Sequence, residues 1–353
     1  MPADEPTSGT ELVDAAMHRA LVLAEAVRGR TSPNPPVGAV ILDAGGALVG
    51  EGATAPAGGP HAEVVALADA GERARGGTAV VTLEPCAHTG RTGPCAEALL
   101  AAGVSRVVFA VEDPNPPAAG GAQVLRGAGV DVLAGVAHHA AASGALRPWL
   151  HSVATGRPFV TWKFAATLDG RIAAADRTSR WISSAPARAD VHHIRDVVDA
   201  VLVGSGTVLA DDPQLTVRHG DLPADRQPLR VVLDRRHRVV GGFRVLDSAA
   251  ETVVLDTAAP RFALKALHDR GVRHVLLEGG PTLAGAFVEA RCIDEVVAYL
   301  APMLLGAGPA ALADAGIGTL ADAAVLDVES VTRIDDDVKV VARPRWDGPA
   351  TEE

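Results

Sequence analysis

His61 and Glu63, with Pro85-Cys86 and then Cys95 downstream, bring one imidazole, two thiols and one carboxylate into a short stretch of a 353-residue chain. One nitrogen and two sulfur ligands suit a tetrahedral zinc that keeps its fourth position for water. Zinc lowers the pKa of such a water to around 7. Its attack on an amino-bearing ring carbon needs a proton carrier that is not itself a ligand, and Glu63, two residues past His61, has that place. A closed structural zinc needs a fourth ligand instead, and His88 is the candidate for it.

The second half carries chemistry of another kind. "HVLLEGGPTLAGAF" reads as a buried strand, the pair Gly279-Gly280 and a helix opened by Pro281. Glycines there let a ligand approach the backbone, and the N–H groups of a helix start bind phosphate. A plain tight turn has the same composition. "VLVGSGTVLADDPQLTVR" reads as a strand feeding a Gly-rich loop, again a place for a diphosphate or a ribose. Lys163 lies in an apolar strand of a chain with three lysines among 32 basic residues, which sets it apart. Lys163, Asp169 and Asp211 are the ionisable candidates for proton transfer. "LDRRHR" puts Arg235, Arg236 and Arg238 just after a strand, either as cations for a nucleotide phosphate or as a solvated turn. Cys292 reads as a buried core thiol.

The elements that must hold these groups follow from periodicity. Leu12, Ala16, Met17, Ala20, Ala24 and Val27 have helical spacing, with Ser8 and Glu11 as a capping box. Two apolar runs around the turn Asp43 to Gly46 form a hairpin. A helix from about His61, strand "TAVVTLEP", helix "GPCAEALLAAG", strand "SRVVFAVEDP", a helix near Gln123 to Gly127 and strand "VDVLAGV" follow. The two ligating segments each open a helix, where the macrodipole favours thiolate. Residues 137–155 read as helical, and a boundary falls near Gly156. Beyond it come strand "FVTWKFAATLDG", a helix from Ser184, strands "DAVLVGSG", "PLRVVLD" and "TVVLD", helix "FALKALHDRG", strand "HVLLEGG", a helix to Arg291 and strand "DEVVAYLAP". Two strand-like runs around the turn Asp335 to Asp337 close the chain. Strands alternating with helices mean an α/β protein with largely parallel sheets. Its expected domains are 1–155 and 156–353.

The formal net charge of −11 speaks against nucleic-acid or anionic-membrane partners, which require basic patches. "MPADEPTSGT" lacks the pattern of a signal peptide, no apolar run suits a membrane span, and three cysteines suit a reducing compartment. The cytoplasm is the expected location.

The order His-x-Glu, Pro-Cys, Cys is that of the zinc deaminases. The eight-residue gap between the cysteines, in "TLEPCAHTGRTGPC", together with "PNPPVGAV" and "VEDPNP", resembles the bifunctional deaminase–reductase family of riboflavin biosynthesis. "WKFAATLDGRIAA" and "RWISS" extend that resemblance through the second half. It implies a cytidine-deaminase-like three-layer domain followed by a dihydrofolate-reductase-like domain. It also implies zinc on His61, Cys86 and Cys95, NADPH as hydride donor, a phosphorylated pyrimidine as substrate and a homodimer. Substrate contacts implied are Asn34, His88 and Arg91 in the first domain and Ser179, Arg195, Arg218 and Glu278 in the second. Cofactor contacts implied are Ala165, Trp181, Thr207, Asp211, Gly280, Pro281, Thr282, Leu283, Ala284, Gly285 and Ala286. Arg195 and Arg218 could clamp a phosphate bidentately, and Asp211 or Lys163 supplies a proton. Many members carry a histidine where this chain has Thr54, which removes an imidazole contact but leaves the metal chemistry. A reductase with a degenerate deaminase half, a nucleic-acid deaminase with an accessory domain, and a non-enzymatic zinc protein are the rival readings.

Overall fold

In the computed structural model, which describes residues 9–88, 93–220 and 222–346, the first apolar periodicity becomes α1 (Gly9–Ala26). Its buried face is Val13, Ala16, Met17, Ala20 and Ala24, so Val13 takes the place expected of Leu12. Ser8 of the expected capping box lies outside the described residues. The chain divides into two compact units, Met1–Gly156 and Arg157–Glu353.

The first unit is built on a five-stranded sheet in the order β2-β1-β3-β4-β5. β1 (Gly38–Leu42) is antiparallel to both β2 (Leu48–Ala53) and β3 (Thr78–Leu83). β4 (Arg106–Val111) and β5 (Asp131–Ala134) run parallel to β3. α2 (Ala62–Ala70), α3 (Cys95–Ala102), α4 (Gly121–Gly127), α5 (His138–Ser143) and α6 (Arg147–Thr155) complete it. The expected single helical stretch over 137–155 is two helices, because Gly144 ends α5 and Pro148 sits in the first turn of α6. Gly156, left-handed at φ 69°, stops α6 and the unit with it.

Helices cover both faces of this sheet, and glycines set how closely they lie. A Cβ on Gly38 would fall 1.9 Å from the Ala20 carbonyl oxygen of α1. On the other face, a Cβ on Gly52 would fall 2.3 Å from the Ala62 oxygen. β2 therefore meets the first turn of α2 backbone to backbone, and that turn carries His61 and Glu63.

The second unit has an eight-stranded sheet in the order β11-β10-β7-β12-β6-β13-β15-β14. β6 (Phe159–Thr167), β7 (Ala200–Gly204), β10 (Leu229–Leu233), β11 (Thr252–Leu255), β12 (His274–Leu277) and β13 (Glu295–Ala301) are parallel. The closing hairpin, β14 (Val325–Ile334) and β15 (Asp337–Arg345), is antiparallel to them through β13. A small pair, β8 (Arg218–His219) and β9 (Leu222–Pro223), stands apart. The helices are α7 (Ala185–Asp196), α8 (Ser205–Asp211), α9 (Pro260–Asp269) and α10 (Pro281–Glu289).

The central strand β7 reads as a continuous apolar run because both its faces are covered. Ala200 and Leu202 pack with Ala263, Leu264 and Phe287 of α9 and α10, while Val201 and Val203 pack with Val208 of α8 and Ile194 of α7. The Gly-rich loop expected after β7 is instead the first turn of α8. Gly204 is its extended N-cap, and Val208 is buried one turn on.

Candidate active sites

In the first unit, three pieces of backbone deliver the ligand atoms. His61 is the N-cap of α2, Cys95 the first residue of α3, and Cys86 follows β3 on an extended turn rather than opening a helix. His61 Nδ1 lies 3.3 Å from Cys95 Sγ and 3.6 Å from Cys86 Sγ. A tetrahedral zinc with ordinary N and S bond lengths separates such ligand atoms by roughly 3.5 Å. Donor set and spacing fit that metal. Among the described residues, His88 does not join this group, so no fourth protein ligand closes it.

The turn bearing Cys86 is held from below. Glu84, buried, accepts the N–H of Asp113 at 3.2 Å and of Ala122, at the start of α4, at 2.9 Å. The Cys95 N–H donates to Cys86 Sγ at 3.4 Å. Hydrogen bonding from Cys95 holds the Cys86 thiol down, at about 4, while that bond and burial push Cys95 up. The hydrogen bond with Cys86 raises His61. Burial raises Glu63 to about 7 and Asp113 to about 6.

Glu63, His61 and Cys86 open onto a cavity of about 350 Å³ that Asn34, Thr54 and His88 also line. Arg91 lies outside the described residues. Thr54 is buried, its Oγ1 accepting the Val37 N–H at 3.1 Å, so the hydroxyl ties β1 to the loop after β2. Glu84, Asp113, Asn115 and Trp149 line the same cavity and were not singled out from sequence. A lone acid closing an apolar strand just before Pro-Cys was the available signal for Glu84.

In the second unit, Lys163, Ala165, Ser179, Trp181, Arg195, Asp211 and Arg218 line one cavity of about 630 Å³. Below it, the Glu278 carboxylate receives Lys163 Nζ at 2.8 Å and Arg195 Nε at 2.5 Å. Burial alone would raise Glu278, but the two cations outweigh it and hold the acid below the usual carboxylate range. The Arg195 fork expected on a phosphate is therefore bidentate to Glu278, with its remaining terminal nitrogen on the Thr216 carbonyl at 3.1 Å. Arg218 is exposed at the cavity wall. Asp211 stands exposed at the rim, whereas the Lys163 side chain, paired with Glu278, is only 16% exposed. Asp169 points elsewhere, accepting the N–H groups of Leu305 and Gly306.

The expected cofactor run divides. Gly280 to Leu283 form the open start of α10 at the carboxyl edge of β12, where ligands of parallel sheets bind. Ala284 and Gly285 are buried, and a Cβ on Gly285 would meet the Asp314 oxygen at 2.1 Å; Ala286 is half-buried. A Cβ on Gly279 would strike Leu283 of α10, so that glycine serves helix packing, whereas Gly280 faces open space save for Thr207. Thr207 Oγ1 accepts the Gly280 N–H at 3.2 Å, joining α8 to α10. Arg235 and Arg236 are exposed just past β10, and Arg238 donates to Ser205 Oγ at 2.7 Å. The start of α10 offers backbone N–H groups of the kind that bind a nucleotide phosphate. Cys292 is a core residue with no exposure. Tyr299, which lines this cavity, donates its hydroxyl to Asp190, which also holds Lys339; none of the three was foreseen.

A model described as the cytidine and deoxycytidylate deaminase zinc-binding region matches residues 10–111, and that of the RibD C-terminal domain matches residues 158–340. Fold and sites thus define a zinc-deaminase-type domain joined to a reductase-type domain. The riboflavin biosynthesis protein RibD of Mycobacterium tuberculosis is 51% identical over 94% of this chain and 98% of its own, and that of Escherichia coli 41% identical over 91% and 96%. A Thermotoga maritima crystal structure, described as a diaminohydroxyphosphoribosylaminopyrimidine deaminase/5-amino-6-(5-phosphoribosylamino)uracil reductase, superposes with a TM-score of 0.89 at 34% identity, over 96% of this chain and 100% of that one. The chain belongs to the RibD family of riboflavin biosynthesis, enzymes that combine a deaminase and a reductase. No helix among the described residues is long and apolar enough to cross a membrane.

Proposed function

We propose that the first unit, residues 1–155, hydrolyses the ring amine of 2,5-diamino-6-ribosylamino-4(3H)-pyrimidinone 5′-phosphate. The second, residues 156–353, then reduces the ribosyl chain of the product, 5-amino-6-(5-phosphoribosylamino)uracil, to ribityl. The observation that carries this reading is the His61, Cys86 and Cys95 group, its ligand atoms within 4.8 Å of one another, opening with Glu63 onto a single cavity. His61, Cys86 and Cys95 would hold a zinc whose Lewis acidity would make a bound water acidic enough to attack the ring carbon at neutral pH. Glu63 takes a proton from the attacking water and returns it to the departing amine, a role that its pKa near neutrality suits. Asn34, His88 and Arg91 orient the pyrimidine.

In the second unit NADPH supplies the hydride. Ala165, Trp181, Thr207, Asp211 and the open start of α10, Gly280 to Leu283, would hold it, with Ala284 to Ala286 packing behind them rather than touching it, while Arg235 and Arg236 would meet its 2′-phosphate. Lys163 or Asp211 delivers the proton, and Glu278 holds the Lys163 side chain in place by pairing with it at 2.8 Å. Ser179 and Arg218 hold the sugar phosphate. A homodimer, expected from the resemblance, and a cytoplasmic location, expected from the cysteine usage, are part of the same proposal. The test is ammonia release from the diaminopyrimidinone without NADPH, alongside zinc content. One zinc per chain and stoichiometric ammonia support the reading; a zinc-loaded protein that releases none overturns it.

A further inference from the structure

The segment from Gln214 to Arg218 forms a wall of the reductase cavity, yet it is not a strand of the large sheet. Side chains take the place of strand partners. Gln227 accepts the Val217 N–H at 2.7 Å and donates to the Val217 carbonyl at 3.0 Å. Arg230, fully buried, donates to the Gln214 carbonyl at 3.3 Å. Arg195 donates to the Thr216 carbonyl, and the Arg218 N–H donates to His192 Nδ1 at 3.1 Å. His192 sits on α7 less than one turn before Arg195 and itself lines the cavity.

Because Nδ1 accepts, the proton of the neutral ring is on Nε2, and a hydrogen bond to the Thr216 backbone completes the grip. Burial, with the Arg195 and Arg218 charges behind it, pushes His192 down to about 4, against the opposing pull of Glu278. A protonated ring would have no lone pair for the Arg218 N–H. The imidazole thus stays an acceptor throughout the neutral range. With the Arg195 fork committed to Glu278, Arg218 is the cation that wall offers to an anionic group in the cavity.

We infer that His192 is a positioning residue for the phosphate end of the reductase substrate: by accepting the Arg218 N–H it fixes the backbone from which the Arg218 guanidinium reaches into the cavity. This rests on the reductase reading above, in which Arg218 holds the sugar phosphate. The chemistry recognised is a phosphomonoester, and His192 touches neither it nor the reacting carbon.

The experiment compares His192→Leu, which has no acceptor, with His192→Asn, whose amide oxygen can replace Nδ1, and with Arg218→Ala. Each is given the deaminated substrate and the same compound without its 5′-phosphate, with NADPH saturating. His192→Leu should raise KM for the phosphorylated substrate roughly tenfold with kcat within about twofold, the size of one lost hydrogen bond acting on binding. It should leave the dephosphorylated compound unaffected, and His192→Asn should recover most of the KM. Should leucine prevent folding, judged by the thermal melt, His192→Ala serves the same comparison. A His192→Leu enzyme that loses kcat equally on both compounds, or keeps its KM, overturns the inference. If Arg218→Ala also leaves the phosphorylated substrate's KM unchanged, the reading of Arg218 fails with it. If Arg218→Ala raises that KM while His192→Leu does not, only the role of His192 falls.

Discussion

Gly121 opens α4, far in sequence from the metal-ligand group, and its replacement by alanine should damage that group. A Cβ there would fall 1.7 Å from the Pro85 carbonyl oxygen and 2.8 Å from the Pro85 carbonyl carbon. An ordinary carbon–oxygen approach is about 3.3 Å, so the two backbones must part by about 1.5 Å. No rotamer can relieve a clash between a Cβ and a main-chain carbonyl. Glu84 opposes the separation, because it holds the Ala122 N–H of α4 beside the turn that carries Cys86. Overpacking of this kind costs about 1–3 kcal/mol, which for a unit of this size lowers the melting temperature by about 3–10 °C. Displacing Cys86 from its 3.6 Å contact with His61 should weaken zinc binding about 10- to 100-fold, the usual effect of moving a ligand's support. The assay is a chelator competition on the purified full chain, with reductase turnover of the deaminated substrate measured in parallel. Gly127→Ala, on the same helix with nothing within 4 Å of its Cβ, is the control. Gly121→Ala with wild-type zinc affinity and melting temperature would refute the claim that this close approach sets the ligand geometry.

Glu278→Gln leaves Lys163 and Arg195 without their shared carboxylate and should destabilise the second unit by about 3–5 kcal/mol, read from urea unfolding at pH 7; a change under about 1 kcal/mol would contradict it. Because the folded state holds the Glu278 pKa below its unfolded value, its contribution is complete above the unfolded carboxylate pKa and is lost as pH falls through the folded one. The wild-type advantage over the glutamine variant should therefore persist at pH 5 and shrink only in strong acid, and a loss already at pH 6 would argue otherwise. Thiol titration separates the three cysteines. A zinc-loaded native chain should show none reactive, chelation should release Cys86 and Cys95, and only denaturant should expose Cys292, which is fully buried. Labelling of Cys292 in the native state would count against its place in the core.

The metal-ligand group was legible because its chemistry is local to three short motifs: His61 and Cys95 begin helices, and Cys86 follows Pro85 just past the end of β3. Continuous apolar runs likewise marked β7 and β12, whose two faces are both covered. What escaped is set by long-range partners. Glu84 and Asp190 are single carboxylates whose roles depend on backbone or side chains brought in from elsewhere in their own units. His192 carries no motif of its own: its role depends on α7 turning Arg188, His192 and Arg195 toward a cavity. The expected phosphate clamp at Arg195 differs from the structure because Glu278, which takes its fork, lies 83 residues further on, just past β12. The Gly-rich loop after β7 became a helix start because Gly204 serves as an extended cap and burial of Ser205 and Val208 outweighs the weak helix propensity of Ser205, Gly206 and Thr207.

The central claim is that two chemistries act in sequence on one substrate. It is tested most directly by following NADPH consumption when the full chain is given the diaminopyrimidinone ribosylamine phosphate, beside Glu63→Ala. The wild type should consume NADPH and the variant should not, until the deaminated compound is supplied, when both should proceed at similar rates. Consumption by both proteins from the undeaminated compound would contradict the order of the two steps. No consumption by the wild type from either compound would contradict the account as a whole.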